Sequence, residues 1–342
     1  MDRVPSRRSP ASAKIDPPAV KFPLLPRRRF LQLAGGLAAA GFATRGLGAA
    51  RTTGRKRVLR VAHLTDFHVQ PELRAPEGMT SCLRHLQATA EKPDLILSGG
   101  DHVMDCVRQP RERTKLQWDL WQKIMKAETA IPVRACIGNH DIWGWNKAKS
   151  GTTGHEPEFG KKWASDALGL DRPYYSFDQA GWHFITLDGV QPGEPEGSFY
   201  GALDEAQLDW LQRDLAAVPK TTPVLIWSHI PIVSALAPLI NRPGPRTKPI
   251  AIENGHVHWD AVPILALLTK YPNVKACLSG HLHRIEHVEM KGIHFYCNGA
   301  VCGGWWKGKN DGFDEGYALV DLYDDGSLDC RYTSFGWNAA SV

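Results

Sequence analysis

Five short clusters of carboxylate, amide and imidazole residues mark this 342-residue sequence. They are Asp66-Phe67-His68, Gly99-Gly100-Asp101, Gly138-Asn139-His140-Asp141, His229-Ile230-Pro231 and Gly280-His281-Leu282-His283. Oxygen and imidazole donors with no competing thiolate suit hard or borderline cations such as zinc, manganese or iron. Asp66 and His68 are two residues apart, as are His281 and His283. On an extended segment such side chains point the same way, so one chain segment offers two ligands. The glycines before Asp101, Asn139 and His281 permit a sharp turn and a close backbone approach. Singly each cluster is commonplace; together, in this order, packing does not account for them.

Each cluster follows an apolar, β-rich run. Strands are predicted at 58–65, 94–98, 132–137, 224–228 and 274–279, immediately before the five clusters, and at 174–177, 183–187, 293–297 and 317–322. Helical patterns cover 79–90, 111–126, 160–168, 204–217 and 254–270. The fourth has an acidic N-cap candidate in Asp204 and apolar Leu208, Leu211 and Leu215 at helical spacing. In α/β sheets, ligands bind beyond the carboxyl ends of the strands, so five such ends can converge on one place. Strand–helix–strand alternation early in the chain predicts α/β layers with parallel pairing. Turn signals at Lys291-Gly292 and Asp324-Asp325-Gly326 predict antiparallel strands towards the end.

Composition narrows the function. Hydrophobic residues make up 43% of the chain, as in a packed globular protein. The formal charge is +5, yet the first 57 residues hold 13 of the 41 basic and only 2 of the 36 acidic residues. The remainder is therefore net acidic, which argues against a nucleic-acid-binding surface. The basic segment reads Pro26-Arg27-Arg28-Arg29-Phe30-Leu31, then an apolar stretch broken by Gly35, Gly36 and Gly41, then small residues to Ala50. Its Arg-Arg-x-Phe-Leu order resembles a twin-arginine export signal. Residues 1–50 are expected to be this signal, read by the twin-arginine machinery, with a periplasmic or otherwise exported product and no stable membrane span after cleavage; an uncleaved membrane anchor is the rival reading. Seven cysteines include no Cys-x-x-Cys pair, so a thiolate zinc site is not expected. Cys136 and Cys277 lie in strand-like runs, where buried free thiols are the default.

The five clusters resemble those of the calcineurin-like metallophosphoesterase superfamily: Asp-x-His, Gly-Asp, Gly-Asn-His-Asp, His-x-Pro and Gly-His-x-His. The resemblance extends over residues 57–335 and includes the stretch from Tyr200 to Leu211 before the fourth cluster. It implies a four-layer α/β/β/α sandwich with mixed sheets. It also implies two divalent or trivalent metal ions (Fe, Mn or Zn): Asp66, His68 and His283 on one, Asn139, His229 and His281 on the other, and Asp101 bridging both. A bridging carboxylate offsets the repulsion of two cations about 3.5 Å apart. The implied reaction is attack by a metal-bridging hydroxide on the phosphorus of a small-molecule phosphate ester. His140, adjacent to Asn139, is then expected to bind a phosphate oxygen or protonate the leaving group, oriented by Asp141 or Asp105.

Two subgroup marks are absent. No Asp-Arg-Gly follows Asp101, unlike the protein serine/threonine phosphatases, and Met104 stands where purple acid phosphatases carry a tyrosine ligand. The Asp-x-His opening and compact length look more like cyclic-nucleotide or glycerophosphodiester phosphodiesterases. A phosphodiesterase is therefore the leading expectation. The alternatives are a phosphomonoesterase on the same site, a non-catalytic metal-containing phosphate-binding protein, and a structural zinc protein. Several other residues carry weaker signals. His63 is expected to be structural, and His102 to reach substrate or solvent. The second Gly-His-x-His, Gly255-His256-Val257-His258, is expected at a helix cap or on the surface. Trp143, Trp145, Trp305 and Trp306 are core residues or a stacking wall.

Overall fold

The computed structural model describes residues 54–240, 252, 253 and 255–339; the export-type segment lies outside them. The unit that begins at Arg55 is built on two sheets. In the first, β1 (Arg57–Leu64), β2 (Leu95–Ser98) and β3 (Val133–Ala135) run parallel. They are joined by α1 (Ala75–Gln87) and α2 (Arg111–Glu128). On the other side of β1, β12 (Gly316–Tyr323) and β13 (Leu328–Ser334) add an antiparallel hairpin, giving the order β13-β12-β1-β2-β3.

The second sheet holds β4 (Tyr175–Gln179), β5 (Trp182–Thr186), β8 (Val224–Trp227), β9 (Val274–Ser279), β10 (Ile285–Met290) and β11 (Ile293–Asn298). Its order is β10-β11-β9-β8-β5-β4, with parallel pairing through β11-β9-β8-β5 and antiparallel strands at both edges. A small ribbon of β6 (Val190–Pro192) and β7 (Phe199–Gly201) stands apart. The remaining main helices are α3 (Lys161–Leu168), α4 (Glu205–Ala217) and α5 (Ala261–Leu268).

Side-chain alternation makes four layers of these elements. Leu59 and Val61 of β1, Leu95 and Leu97 of β2, and Leu225 and Trp227 of β8 meet in one core between the sheets. Their neighbours in sequence point the other way. Ala62, Leu64 and Ile96 pack under Leu83, Leu86, Trp118 and Trp121 of α1 and α2. Val224, Ile226 and Cys277 pack under Leu211, Leu215, Ile264 and Leu268 of α4 and α5. The fold is the α/β/β/α sandwich with mixed sheets expected from the sequence.

Strand register places the chemistry. Leu64 pairs with Ser98 and Ser98 with Ala135, so the segments after β1, β2 and β3 leave the sheet along one edge. Trp227 pairs with Leu278, which does the same for the segments after β8 and β9.

The elements depart in places from the sequence expectation. The expected helix at 254–270 is helical only over Ala261–Leu268. Upstream of it the chain is tied down elsewhere: the His258 N–H donates to the Pro231 carbonyl at 3.0 Å and the Trp259 N–H to Gly201 at 2.7 Å. The turn signals at Lys291-Gly292 and Asp324-Asp325-Gly326 correspond to the β10–β11 and β12–β13 hairpins, but β10 and β13 themselves, being polar edge strands, have no apolar run to bound them. The cysteines are all free, and all but Cys330 are buried. Among the described residues no helix is long and apolar enough to cross a membrane.

Candidate metal centre

The loops after β1, β2 and β9 hold unusual backbone. Asp66, His68, Asp101, His281 and His283 have φ of 57°, 42°, 52°, 70° and 51°. Non-glycine residues seldom adopt this left-handed region, and a group of them indicates backbone whose strain is held by its surroundings. The restraints are visible. The Asp66 N–H donates to Gly100 O and the His68 N–H to Asp101 O, each at 3.0 Å. Asp66 Oδ2 accepts the Thr65 hydroxyl at 2.6 Å and the His281 N–H at 2.9 Å. A side chain at Gly138 would strike the backbone and carboxylate of Asp101, and one at Gly280 would strike Thr65 and Asp66. These glycines permit the close approach of neighbouring loops.

The side chains of the five loops meet in two adjoining groups. In the first, His68 Nε2 and His283 Nε2 lie 3.0 Å apart, and His283 Nε2 is 3.2 Å from Asp66 Oδ1. In the second, His229 Nε2 lies 3.0 Å from Asn139 Oδ1 and 3.2 Å from His281 Nδ1. Asp101 Oδ2 is shared: it lies 3.1 Å from His229 Nε2 and 3.5 Å from His68 Nε2. These distances gather Asp66, His68 and His283 on one side of Asp101 and Asn139, His229 and His281 on the other.

This donor set fits metal ions. Asp66 Oδ1 is fully buried and makes no well-aligned hydrogen bond; it faces His283 Nε2 at 3.2 Å and His68 Nε2 at 3.8 Å, a placement that suits a cation between carboxylate and imidazoles. Burial lowers the His68 imidazole to about 4 and that of His281 to about 3, which favours their neutral form. Burial works against ionisation of Asp101 and of His229 alike. Their mutual attraction outweighs it, so the Asp101 carboxyl is held far below its usual range and His229 is raised to about 9. The far nitrogens are committed: His229 Nδ1 bonds Gly99 O at 2.8 Å and His283 Nδ1 bonds Gly303 O at 2.6 Å. Such bonds fix the tautomer and turn Nε2 towards the centre.

His140 stands at the edge of this centre, its ring 4.6 Å from that of His68. It lines a cavity of about 480 Å³ with His68, Asp101, Asn139, His281 and His283. Its Nδ1 bonds the Met104 carbonyl, which leaves Nε2 for the cavity. Neither Asp141 nor Asp105 orients it. Asp141 is buried beneath the loops and accepts the N–H groups of Gly138, Asp101 and His102 at 2.8, 3.0 and 2.8 Å. Asp105 accepts the Arg108 N–H at 3.2 Å.

The weaker sequence signals resolve individually. His63 is structural: it is fully buried beside Asn298, and burial lowers it to about 4. His102 reaches neither substrate nor solvent; it is buried between Ser98 Oγ at 2.7 Å and Asp141 Oδ2 at 2.9 Å, against Trp118 and Trp121. His256, expected at a cap or on the surface, lines the cavity near His281, while His258 is buried against Asp260. Of the four tryptophans, Trp143 and Trp306 are core residues and Trp145 packs against the core; only Trp305 lines the cavity. A bridge between Gly201 and His258 brings the His256 segment in, a long-range pairing that no local pattern signals.

The profile of the calcineurin-like phosphoesterase family matches residues 59–284. The chain belongs to the calcineurin-like phosphoesterase family. This family membership covers every one of the five clusters. The chain is 27% identical over 285 residues to a 3′,5′-cyclic-nucleotide phosphodiesterase of Nostoc sp., covering 80% of this chain and 91% of that protein. It is 26% identical over 151 residues to the 3′,5′-cyclic adenosine monophosphate phosphodiesterase CpdA of Escherichia coli, a match that spans 43% of this chain and 48% of CpdA. A dimetal phosphatase from Danio rerio shares the fold, with a TM-score of 0.57 at 17% identity, over 82% of this chain and 97% of that one.

Proposed function

We propose that this calcineurin-like phosphoesterase is a binuclear metal-dependent phosphodiesterase acting on a small-molecule ester. The observation that carries the proposal is the position of Asp101 Oδ2, within 3.5 Å of an imidazole nitrogen from each ligand triplet. Asp66, His68 and His283 would hold one ion, Asn139, His229 and His281 the other, and Asp101 both. The ions would be divalent or trivalent Fe, Mn or Zn, and bound there they supply Lewis acidity towards phosphate oxygens and a water of lowered pKa.

The chain's own residues do the rest. Asp66 and Asp101 bring negative charge that balances the cations. His140, anchored through Nδ1 to the Met104 carbonyl, presents Nε2 to the cavity. From there it binds a non-bridging phosphate oxygen or delivers a proton to the departing alkoxide. Hydrolysis of a monoester on the same residues is the second reading, since nothing in the ligand set distinguishes the two. The phosphodiester preference draws on the relatives named for cyclic-nucleotide hydrolysis. We also place the protein outside the cytoplasm, on the Arg27–Leu31 sequence alone.

The test is a parallel assay of bis(p-nitrophenyl) phosphate and p-nitrophenyl phosphate with protein loaded with Mn, Zn or Fe. Faster hydrolysis of the diester is expected. Faster monoester hydrolysis would replace the proposal with its second reading, and turnover of neither would remove both.

A further inference from the structure

The loop from Ala300 to Gly308 is bound to the first ligand segment along its length. Its Val301 and Cys302 N–H groups donate to the carbonyls of Thr65 and Asp66 at 2.9 and 3.1 Å. Its Gly303 carbonyl fixes His283. Trp306 then dives into the core: its indole N–H donates to Phe67 O at 2.9 Å and lies 3.2 Å from His68 O. Its ring fills the space beside Gly78 of α1, where a side chain would collide with it.

This anchoring has a consequence for the residue before it. Trp305 and Trp306 both have positive φ, 52° and 66°, which is uncommon for bulky residues. With Trp306 pinned inward, Trp305 is turned outward over the metal centre. Its ring lies 4.4 Å from that of His283, tilted by 30°, and 6.1 Å from that of His68. It remains 37% exposed, one of the few large apolar side chains so open, and it lines the cavity that holds His140. Among the described residues no other ring and no cation lies against it.

We propose that Trp305 is a specificity-determining residue: the platform on which a planar aromatic substituent of the phosphate ester stacks. The inference rests on the phosphoesterase reading of the same site and adds a substrate class, esters bearing a nucleobase or another flat aromatic ring. An indole held rigidly beside the phosphate-binding centre offers a large, pre-oriented π-face at small entropic cost. Stacking of a base on an aromatic side chain is sequence-tolerant and is worth about 5- to 150-fold in affinity when removed. It acts beside the reacting phosphate, so a purely aliphatic ester gains nothing from it.

The test measures binding by calorimetry to metal-loaded protein, with phosphonates whose P–C bonds hydrolysis does not cleave. The probes are methylphosphonate, phenylphosphonate and 9-(2-phosphonomethoxyethyl)adenine. The wild-type protein is expected to bind the two aromatic probes more tightly than methylphosphonate. Trp305→Ala removes that preference, and Trp305→Phe keeps most of it. Methylphosphonate binding and metal content stay unchanged in both variants, which excludes simple damage to the centre. Tighter binding of phenylphosphonate and the adenine probe alike assigns the site to flat rings in general; preference for the adenine probe alone assigns it to nucleobases. Equal affinities for all three probes in wild-type protein, or an undiminished aromatic preference in Trp305→Ala, would overturn the proposal. Failure of the wild-type protein to bind any phosphonate would instead count against the phosphoesterase reading.

Discussion

Asp101 accepts the backbone N–H of His140 at 2.8 Å through Oδ1, while its Oδ2 faces both ligand triplets. One carboxylate thus sits between the two candidate ligand groups and also places the segment that carries the cavity histidine. The two oxygens have separable duties, which a conservative substitution can divide. Asp101→Asn keeps an acceptor for His140 but removes the bridging charge. We expect it to lower metal binding at both sites and to cut activity at least 100-fold. Metal analysis after dialysis checks this; two ions per chain in the variant would contradict the bridging role.

His140 donates nothing to the ligand triplets, so its loss should spare the metals. His140→Ala is expected to reduce turnover by about 10² to 10⁴ fold with unchanged metal content. Steady-state kinetics on bis(p-nitrophenyl) phosphate beside metal analysis reads both. A variant with full turnover would remove His140 from the chemistry.

Asp141 serves the architecture. It is fully buried and gathers N–H groups from the loops after β2 and β3, as well as His102 Nδ1 at 2.9 Å. Charge-assisted hydrogen bonds are worth about 1.5–3 kcal/mol each. Asp141→Ala should therefore destabilise the protein by about 3 kcal/mol or more. Urea unfolding followed by circular dichroism reports the change, and a loss under about 1 kcal/mol would show that the loops hold without it.

How much of this was legible in the sequence follows from what each feature depends on. The convergence of the candidate ligands was, because strand periodicity and the strand-end rule are local, and Asp66, Asp101, Asn139 and His281 all sit just beyond a β-rich run. The partner of His140 was not: it is the carbonyl of Met104, and a backbone acceptor has no residue signature. The bounds of β13 were not, although the Asp324–Gly326 turn implied a strand there, because its Asp329 and Arg331 interrupt any apolar run on an exposed edge. His256 and Trp305 owe their places to long-range contacts, a bridge to β7 in one case and the burial of Trp306 in the other.

Away from the site, His183 supplies a pH dependence. Its ring lies between Asp178 Oδ1 at 2.6 Å and Asp214 Oδ2 at 2.9 Å. Burial opposes its protonation, but the two carboxylates outweigh burial and raise it above 6.5. A raised folded-state value stabilises the fold fully below the unfolded value of 6.5, and the contribution is lost as pH rises through the folded value. The gap in urea midpoint between wild type and His183→Gln should thus be wider at pH 6 than at pH 9. An equal gap at both pH values would show that the charge on His183 contributes nothing.

A metal titration of activity tests the proposed two-ion phosphoesterase most directly. Metal-free protein is titrated with Mn or Zn while hydrolysis of bis(p-nitrophenyl) phosphate is followed. Activity should rise to a plateau at two equivalents of metal per chain. A plateau at one equivalent, or no hydrolysis with two ions bound, would contradict the account.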